Sequence, residues 1–239
     1  MLKIIGFYTD DALYSEHARL MKASLVRFGL EPYLEKVSAD EWQKIIAFKP
    51  EFIHRACQKF PNDKILYIDA DAFVHADLRG FFADVKEDIA VHYFQGKELA
   101  SGTLFINNTP SARALVNEWV LRMRANPKLW DQKVLEEVVA DWKQKGQVSI
   151  KELGPEFTYI YDLTPKRYGL DNLSKPLVEH LQASREHRLI KQIHESSALK
   201  RLWVKSLLNR HYRRIVNRRK VSQALAQQVN IILNFPTLD

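Results

Sequence analysis

One stretch constrains this chain more than any other: Ile65-Leu66-Tyr67-Ile68-Asp69-Ala70-Asp71, an apolar run ending in two carboxylates. β-Branched and aromatic residues follow one another there without alternation, the pattern of a strand buried on both faces. In extended chain every second side chain shares a face, so Asp69 and Asp71 can point the same way, about 7 Å apart. Two bare carboxylates at the end of a buried strand repel one another unless a cation lies between them. A hard divalent ion such as Mn²⁺ or Mg²⁺, which takes oxygen ligands, resolves the conflict. A lone Asp-x-Asp is more often a solvated acidic turn. Its place at the carboxyl end of a strand, where open α/β sheets bind their ligands, favours a site.

The rest of the chain supplies the sheet. Leu2–Tyr8 reads as a first strand, Ser15–Phe28 as a helix stopped by Gly29, and Glu31–Val37 as a strand. Asp40–Phe48 reads as a helix, and Lys49-Pro50 restarts the chain into a second, Glu51–Lys59. This β-α-β-α-β order implies an α/β fold, a Rossmann-like and mostly parallel sheet flanked by helices. Further on, a short helix is expected at Leu78–Phe82, a strand at Ile89–His92, a loop at Phe94–Gly102 and a short strand at Thr103–Asn107. Helices from Pro110 to Met123 and from Trp130 to about Lys145 precede a strand at Ser149–Leu153 and a loop-rich region from Tyr161 to Lys175. Leu189–His194 reads as a last strand, and Ser196–Leu225 as a basic helix or helix pair.

Charge divides the chain. Twelve of its 36 Lys and Arg residues, but only two of its 29 Asp and Glu, fall between Arg185 and Lys220. The net charge of +7 therefore belongs to a C-terminal segment, and the expected organisation is a catalytic unit over 1–195 with a basic helical extension over 196–239. Such a segment, mixing cations with Trp203, Leu207 and Ile215, can lie on an anionic membrane surface or grip nucleic acid, though most charge runs are solvated faces. A single cysteine, Cys57, rules out an internal disulfide and suits a reducing compartment. The N-terminus is too quickly polar for a signal peptide, so a cytoplasmic protein is expected.

Other chemistries lose ground for want of their motifs. The chain has no Gly-x-Gly-x-x-Gly, no Gly-Lys-Ser/Thr loop and no Gly-x-Ser-x-Gly elbow. What it does have is compatible with a nucleotide site. Tyr8 and Thr9 close the first strand, where a base would sit, and Lys49 is placed to bring a cation to a diphosphate. Ser101-Gly102 removes side-chain bulk before an apolar strand, which permits close approach of a ligand. Asp131-Gln132 at a helix start can cap that helix or hold sugar hydroxyls. His194, a neutral imidazole after an apolar run, can join two carboxylates on a manganese ion.

Taken together, Phe7-Tyr8-Thr9, Lys49-Pro50-Glu51-Phe52-Ile53, the strand with its Asp-x-Asp, Ala100-Ser101-Gly102-Thr103, Trp119, Asp131-Gln132 and Ile193-His194 resemble the A-type-fold nucleotide-sugar glycosyltransferases. The resemblance is to the nucleotide-diphospho-sugar transferase family and, more distantly, to the glycogenin-like one. It implies a UDP-sugar donor and Mn²⁺ (or Mg²⁺) held by Asp69, Asp71 and His194, with Lys200 reaching the phosphates. It also implies that Ser101, Gly102, Asp131 and Gln132 contact the donor sugar. The glycogenin-like pattern places a glycine between this histidine and lysine and Pro-Trp after them, and this chain departs from it there.

The expected reaction is transfer of a sugar to an acceptor hydroxyl on a glycan or lipid-linked saccharide, with retention favoured over inversion. An inverting reaction needs a carboxylate base, for which Glu98, Glu156 and Asp162 are unranked candidates. Transfer to modified DNA bases, or an inactive polyanion-binding protein of the same fold, are the alternatives.

Overall fold

The computed structural model describes residues 1–38, 42–197, 204 and 209–238. The chain runs β1 (Leu2–Thr9), α1 (Ala12–Val26), β2 (Tyr33–Val37), α2 (Trp42–Lys59), β3 (Lys64–Ile68), β4 (Ala72–Val74) and α3 (Arg79–Ala83). It continues through β5 (Ile89–Phe94), β6 (Glu98–Ile106), α4 (Pro110–Ala125), α5 (Asp131–Gln144) and β7 (Ile150–Leu153). The last elements are α6 (Thr164–Tyr168), β8 (Val178–His180), α7 (Ala183–His194) and α8 (Arg210–Gln227).

Six strands make the central sheet in the order β2-β1-β3-β6-β5-β7, and only β6 runs against its neighbours. Alternation along β1 and β3 sorts their side chains onto two faces. Ile5, Phe7, Ile65 and Tyr67 pack with Phe52, Leu115, Trp119 and Val138, beneath α2, α4 and α5. Ile4, Leu66 and Ile68 pack with Met21, Leu25, Phe82 and Phe105 on the opposite face, beneath α1 and α3. Both faces are covered, which is why the Ile65–Ile68 run carries no polar residue. The mostly parallel, helix-flanked sheet expected from the sequence is present.

β4 and β8 form a separate antiparallel ribbon, with Ala72 opposite His180 and Val74 opposite Val178. The C-terminal segment folds back on it: Leu225, Ala226 and Leu233 bury against Leu20, Phe73 and Leu181. Arg218, 2% exposed, sets its Nη2 2.9 Å from both carboxylate oxygens of Asp162. A membrane-crossing helix is absent among the described residues.

Three local expectations differ from the structure. Residues 94–102 are not a loop, because Glu98 already begins β6, which turns back on β5 through Gln95 and Gly96, both at positive φ. Leu189–His194 is not a strand but the second half of α7. Its buried residues Ala183, Glu186, Leu189 and Ile193 recur at helical spacing, and so short an apolar run fits either period. The chain does not restart at Lys49-Pro50; α2 passes through Pro50 without ending. Ile45 and Phe48 before the proline and Phe52, Ile53 and Ala56 after it share one core, and that packing outweighs the cost of about 3 kcal/mol for an interior proline.

Candidate active site

The end of β3 delivers Asp69 and Asp71 on either side of Ala70, and β4 begins at once. The Asp69 N–H donates to the Gly102 carbonyl at 2.8 Å, continuing the β3–β6 pairing into the acidic turn. The main-chain carbonyl of Asp71 accepts from Leu181 N–H at 2.8 Å, and its Oδ2 from Ala183 N–H at 2.7 Å, at the first turn of α7. Asp71 thus clamps the junction between β8 and α7. That clamp brings His180, the last residue of β8, over the carboxylates. One atom from each of Asp69, Asp71 and His180 lies within 4.8 Å of the others, the only such grouping among the described residues.

Each of the three side chains has one polar atom held by the protein and another left facing its neighbours. Asp69 Oδ1 accepts from the Tyr67 hydroxyl at 2.7 Å and lies 3.2 Å from Lys49 Nζ. Asp71 Oδ2 is taken by Ala183, while Oδ1 stands 3.9 Å from His180 Nδ1. His180 Nε2 lies 3.0 Å from Thr103 Oγ1. With Nε2 protonated and donating there, Nδ1 keeps the lone pair that a cation needs. Gly102 makes the remaining room: a Cβ there would stand 3.1 Å from Asp69 Oδ2 and 2.9 Å from His180 Cε1. Two carboxylates and an imidazole with their outer atoms already fixed fit a hard or borderline divalent ion.

A second network adjoins the first. Lys49 Nζ reaches Asp131 Oδ2 at 3.1 Å and Ser101 Oγ at 3.2 Å, and Ser101 Oγ donates to Asp131 Oδ2 at 3.3 Å. Trp119 donates its indole N–H to the Asp131 carbonyl at 3.0 Å. Burial works against the Lys49 ammonium, yet Asp131 and Asp69 hold its pKa above the ordinary lysine value. Asp69 is shifted up, by burial first and by Asp71 in addition, against the pull of Lys49. Asp71 is shifted down: burial opposes, but His180, His17 and the Ala183 N–H outweigh it. Burial and Asp69 push the Tyr67 phenol well up, so it stays a donor.

The residues singled out in the sequence fall as follows. Lys49, Asp69, Ser101 and Asp131 form one contact network, with Asp71 and Gly102 beside it. Gln132 turns to Glu98, its Nε2 3.2 Å from Oε1. Tyr8 and Thr9 end β1, and the Thr9 hydroxyl donates to Asp11, whose carboxylate caps α1. Lys200 lies outside the described residues.

His194 requires correction. It sits exposed in the last turn of α7, about 17 Å of helix beyond Ala183 at 1.5 Å per residue, and the imidazole beside the carboxylates is His180. His180 escapes sequence reading because β8 has three residues, too few to show a period. Thr103→Val is expected to weaken Mn²⁺ binding about tenfold by releasing the His180 ring, measured by Mn²⁺ electron paramagnetic resonance titration. Unchanged affinity would show that Thr103 does not orient His180.

Residues 52–170 match the nucleotide-diphospho-sugar transferase family. Among curated proteins none matches by sequence. Among solved structures, the chain resembles a glycosyltransferase involved in the glycosylation of the major capsid of PBCV-1, with a TM-score of 0.61 and 16% identity. That match covers 78% of this chain and 96% of the other. It also resembles apo-form glycosyltransferase GlyE of Streptococcus pneumoniae TIGR4, with a TM-score of 0.53 and 18% identity, over 75% of this chain and 54% of GlyE. This chain therefore spans about half the length of GlyE, and at these identities the likeness speaks for the fold. The family match over residues 52–170, the shared fold and the Asp69-x-Asp71 turn make the chain a glycosyltransferase of the nucleotide-diphospho-sugar type, built on the GT-A fold.

Proposed function

We propose that the chain transfers a sugar, with retention, from a UDP-sugar to a hydroxyl of a glycan or lipid-linked saccharide, using Mn²⁺ or Mg²⁺ at Asp69, Asp71 and His180. The observation that carries this reading is the convergence of those three side chains above Gly102, each with its outer atom already engaged. When bound there, a divalent cation acts as a Lewis acid on the departing diphosphate. Tyr67 and Lys49 orient the Asp69 carboxylate, and the Ala183 N–H orients that of Asp71. Lys49 also fixes Asp131, which we assign, with Gln132, to the donor-sugar hydroxyls. Such preorganised groups need no rearrangement as charge develops in the transition state.

Two of the three carboxylates considered as an inverting base are already engaged. Asp162 is paired with Arg218, and Glu98 accepts from Gln132 and Arg167. This favours retention. Residues 1–195 would form the catalytic unit, with 196–239 as its extension. The exposed Arg210, Arg213, Arg214 and Lys220 of α8 support peripheral contact of that extension with an anionic membrane surface at its cytoplasmic face.

The test is a panel of nucleotide sugars incubated with the protein and Mn²⁺. Slow release of UDP from one sugar donor is expected, abolished by EDTA and by His180→Ala but kept in His194→Ala. Hydrolysis that is indifferent to EDTA, or lost in His194→Ala and kept in His180→Ala, would sink the assignment.

A further inference from the structure

Arg218 of α8 sits where a bare guanidinium is costly. It is 2% exposed, and one of its nitrogens, Nη2, serves both oxygens of Asp162 at 2.9 Å. Its Nε and Nη1 are closed off from water and have no hydrogen-bond partner among the described residues. A guanidinium carries five N–H donors in a planar fork, so most of this one's capacity is unused. Buried donors on a charged group are strongly destabilising when unpaired, and native folds rarely keep them without a use. The group is an acceptor short of complete, and the acceptor it lacks is an anion.

Its surroundings add positive charge and no further carboxylate. Leu189 and Ile193 of α7 pack with Ile215 of α8, and Arg219 Nε donates to Glu186 Oε1 at 2.6 Å across the same two helices. That pair brings Arg185, the residue before Glu186, to the level of Arg218, the residue before Arg219. Arg188 and Arg214 lie one helical turn away from them. Burial first, and then Arg218, lower the Arg185 guanidinium from its ordinary value; Arg188 and Arg214 add to this, and Asp162 opposes it. The Tyr161 phenol has the same neighbours, raised by burial and Asp162 against Arg218 and Arg214. Among the described residues, Arg185, Arg188 and Arg214 have no carboxylate partner, and Glu186 is committed to Arg219. Four guanidinium groups are thus gathered around the Asp162 carboxylate. That excess suits a compact, multiply charged oxyanion, and a phosphate offers three acceptor oxygens that match the guanidinium fork.

We propose that Arg185, Arg214 and Arg218 form a binding site for a phosphate group between α7 and α8, with Arg188 beside it and Asp162 holding Arg218 in place. The site is additional to the Asp69, Asp71 and His180 cluster and shares no residue with it. It goes beyond the glycosyltransferase reading and stands without it. The phosphate is that of a lipid headgroup or of a soluble phosphate ester; the chemistry of recognition is the same for both.

The test uses the full-length chain and the variants Arg185→Gln, Arg214→Gln and Arg213→Gln, titrated with inorganic phosphate in low-salt, metal-free buffer by ³¹P NMR. Arg213 is the control, an exposed cation of the same helix outside the cluster. Phosphate is expected to bind the unmodified protein and to weaken about tenfold in Arg185→Gln and in Arg214→Gln. Arg213→Gln is expected to stay within about twofold, as is the affinity of every variant for UDP in Mn²⁺, measured on separate samples. Melting temperatures show that the variants are folded, and the exposed Arg214 decides the matter should Arg185→Gln not fold. The site is overturned if the unmodified protein binds no phosphate, or if Arg185→Gln and Arg214→Gln bind it unchanged. A loss as large in Arg213→Gln overturns it in favour of diffuse positive charge. A loss of UDP in step with phosphate overturns it in favour of the donor diphosphate. Once the titration has shown the site, sedimentation with vesicles of phosphatidylcholine and phosphatidic acid separates the sources. Capture lost in Arg185→Gln supports the site as one for a lipid headgroup, and capture equal in both proteins supports it as one for a soluble phosphate ester.

Discussion

Asp71→Asn is expected to lower turnover of a nucleotide sugar by more than about a hundredfold and to leave the fold intact. The direction follows from the hydrogen bond at the start of α7. The Ala183 N–H at 2.7 Å requires an acceptor, so the asparagine carbonyl oxygen takes the place of Oδ2. Its NH₂ group is then turned to the place of Oδ1, beside His180 Nδ1, and presents hydrogens where a cation needs a lone pair. The fold survives for the same reason: the clamp on α7 is kept, and the repulsion that Asp71 exerts on Asp69 is removed. Turnover, Mn²⁺ affinity and melting temperature measured together check this. Turnover within about threefold of the unmodified protein would remove Asp71 from the site.

Lys49→Met acts on stability as well as chemistry. The ammonium lies between Asp69 and Asp131 at 3.2 and 3.1 Å, and both it and Asp131 are buried. Methionine matches its length but leaves Asp131 with only the Ser101 hydroxyl among its side-chain contacts here. Breaking a buried ion pair from one side costs about 3–5 kcal/mol. For a chain of this size that is a fall in melting temperature of roughly 10 °C. Adding Asp131→Asn removes the orphaned charge, and the double variant is expected to recover more than half of the loss. A single variant that melts with the unmodified protein, or a double variant no better than the single, would show that Lys49 is not the counter-ion of Asp131.

The sequence was most readable where a residue's neighbours in the chain are its neighbours in the fold. Ile65–Asp71 announces both its burial and its carboxylates because a strand and its terminal turn are local. Lys49, Ser101 and Asp131 were visible singly, by position after a strand or at a helix start, but their meeting at one point was not. That meeting depends on α2 running through Pro50 and on β6 extending back to Glu98, and in both places tertiary packing overrode a local breaker. His180 was missed for a different reason. Its function comes from a three-residue strand paired with another three-residue strand, and from hydrogen bonds to Asp71 that close a long stretch of chain. His194 attracted the assignment because it follows an apolar run, and that run proved to be the buried stripe of a helix.

Asp71 and Ala183 are joined across 112 positions, so the hydrogen bond between them closes one of the longest loops in the molecule. Ordering so long a loop is entropically unfavourable, and anything bound at its point of closure helps to offset that cost. Occupancy at the neck of the loop is thereby linked to the resistance of α7 and α8 to unravelling. The cluster of Asp69, Asp71 and His180 doubles as the fastening of the protein's C-terminal quarter.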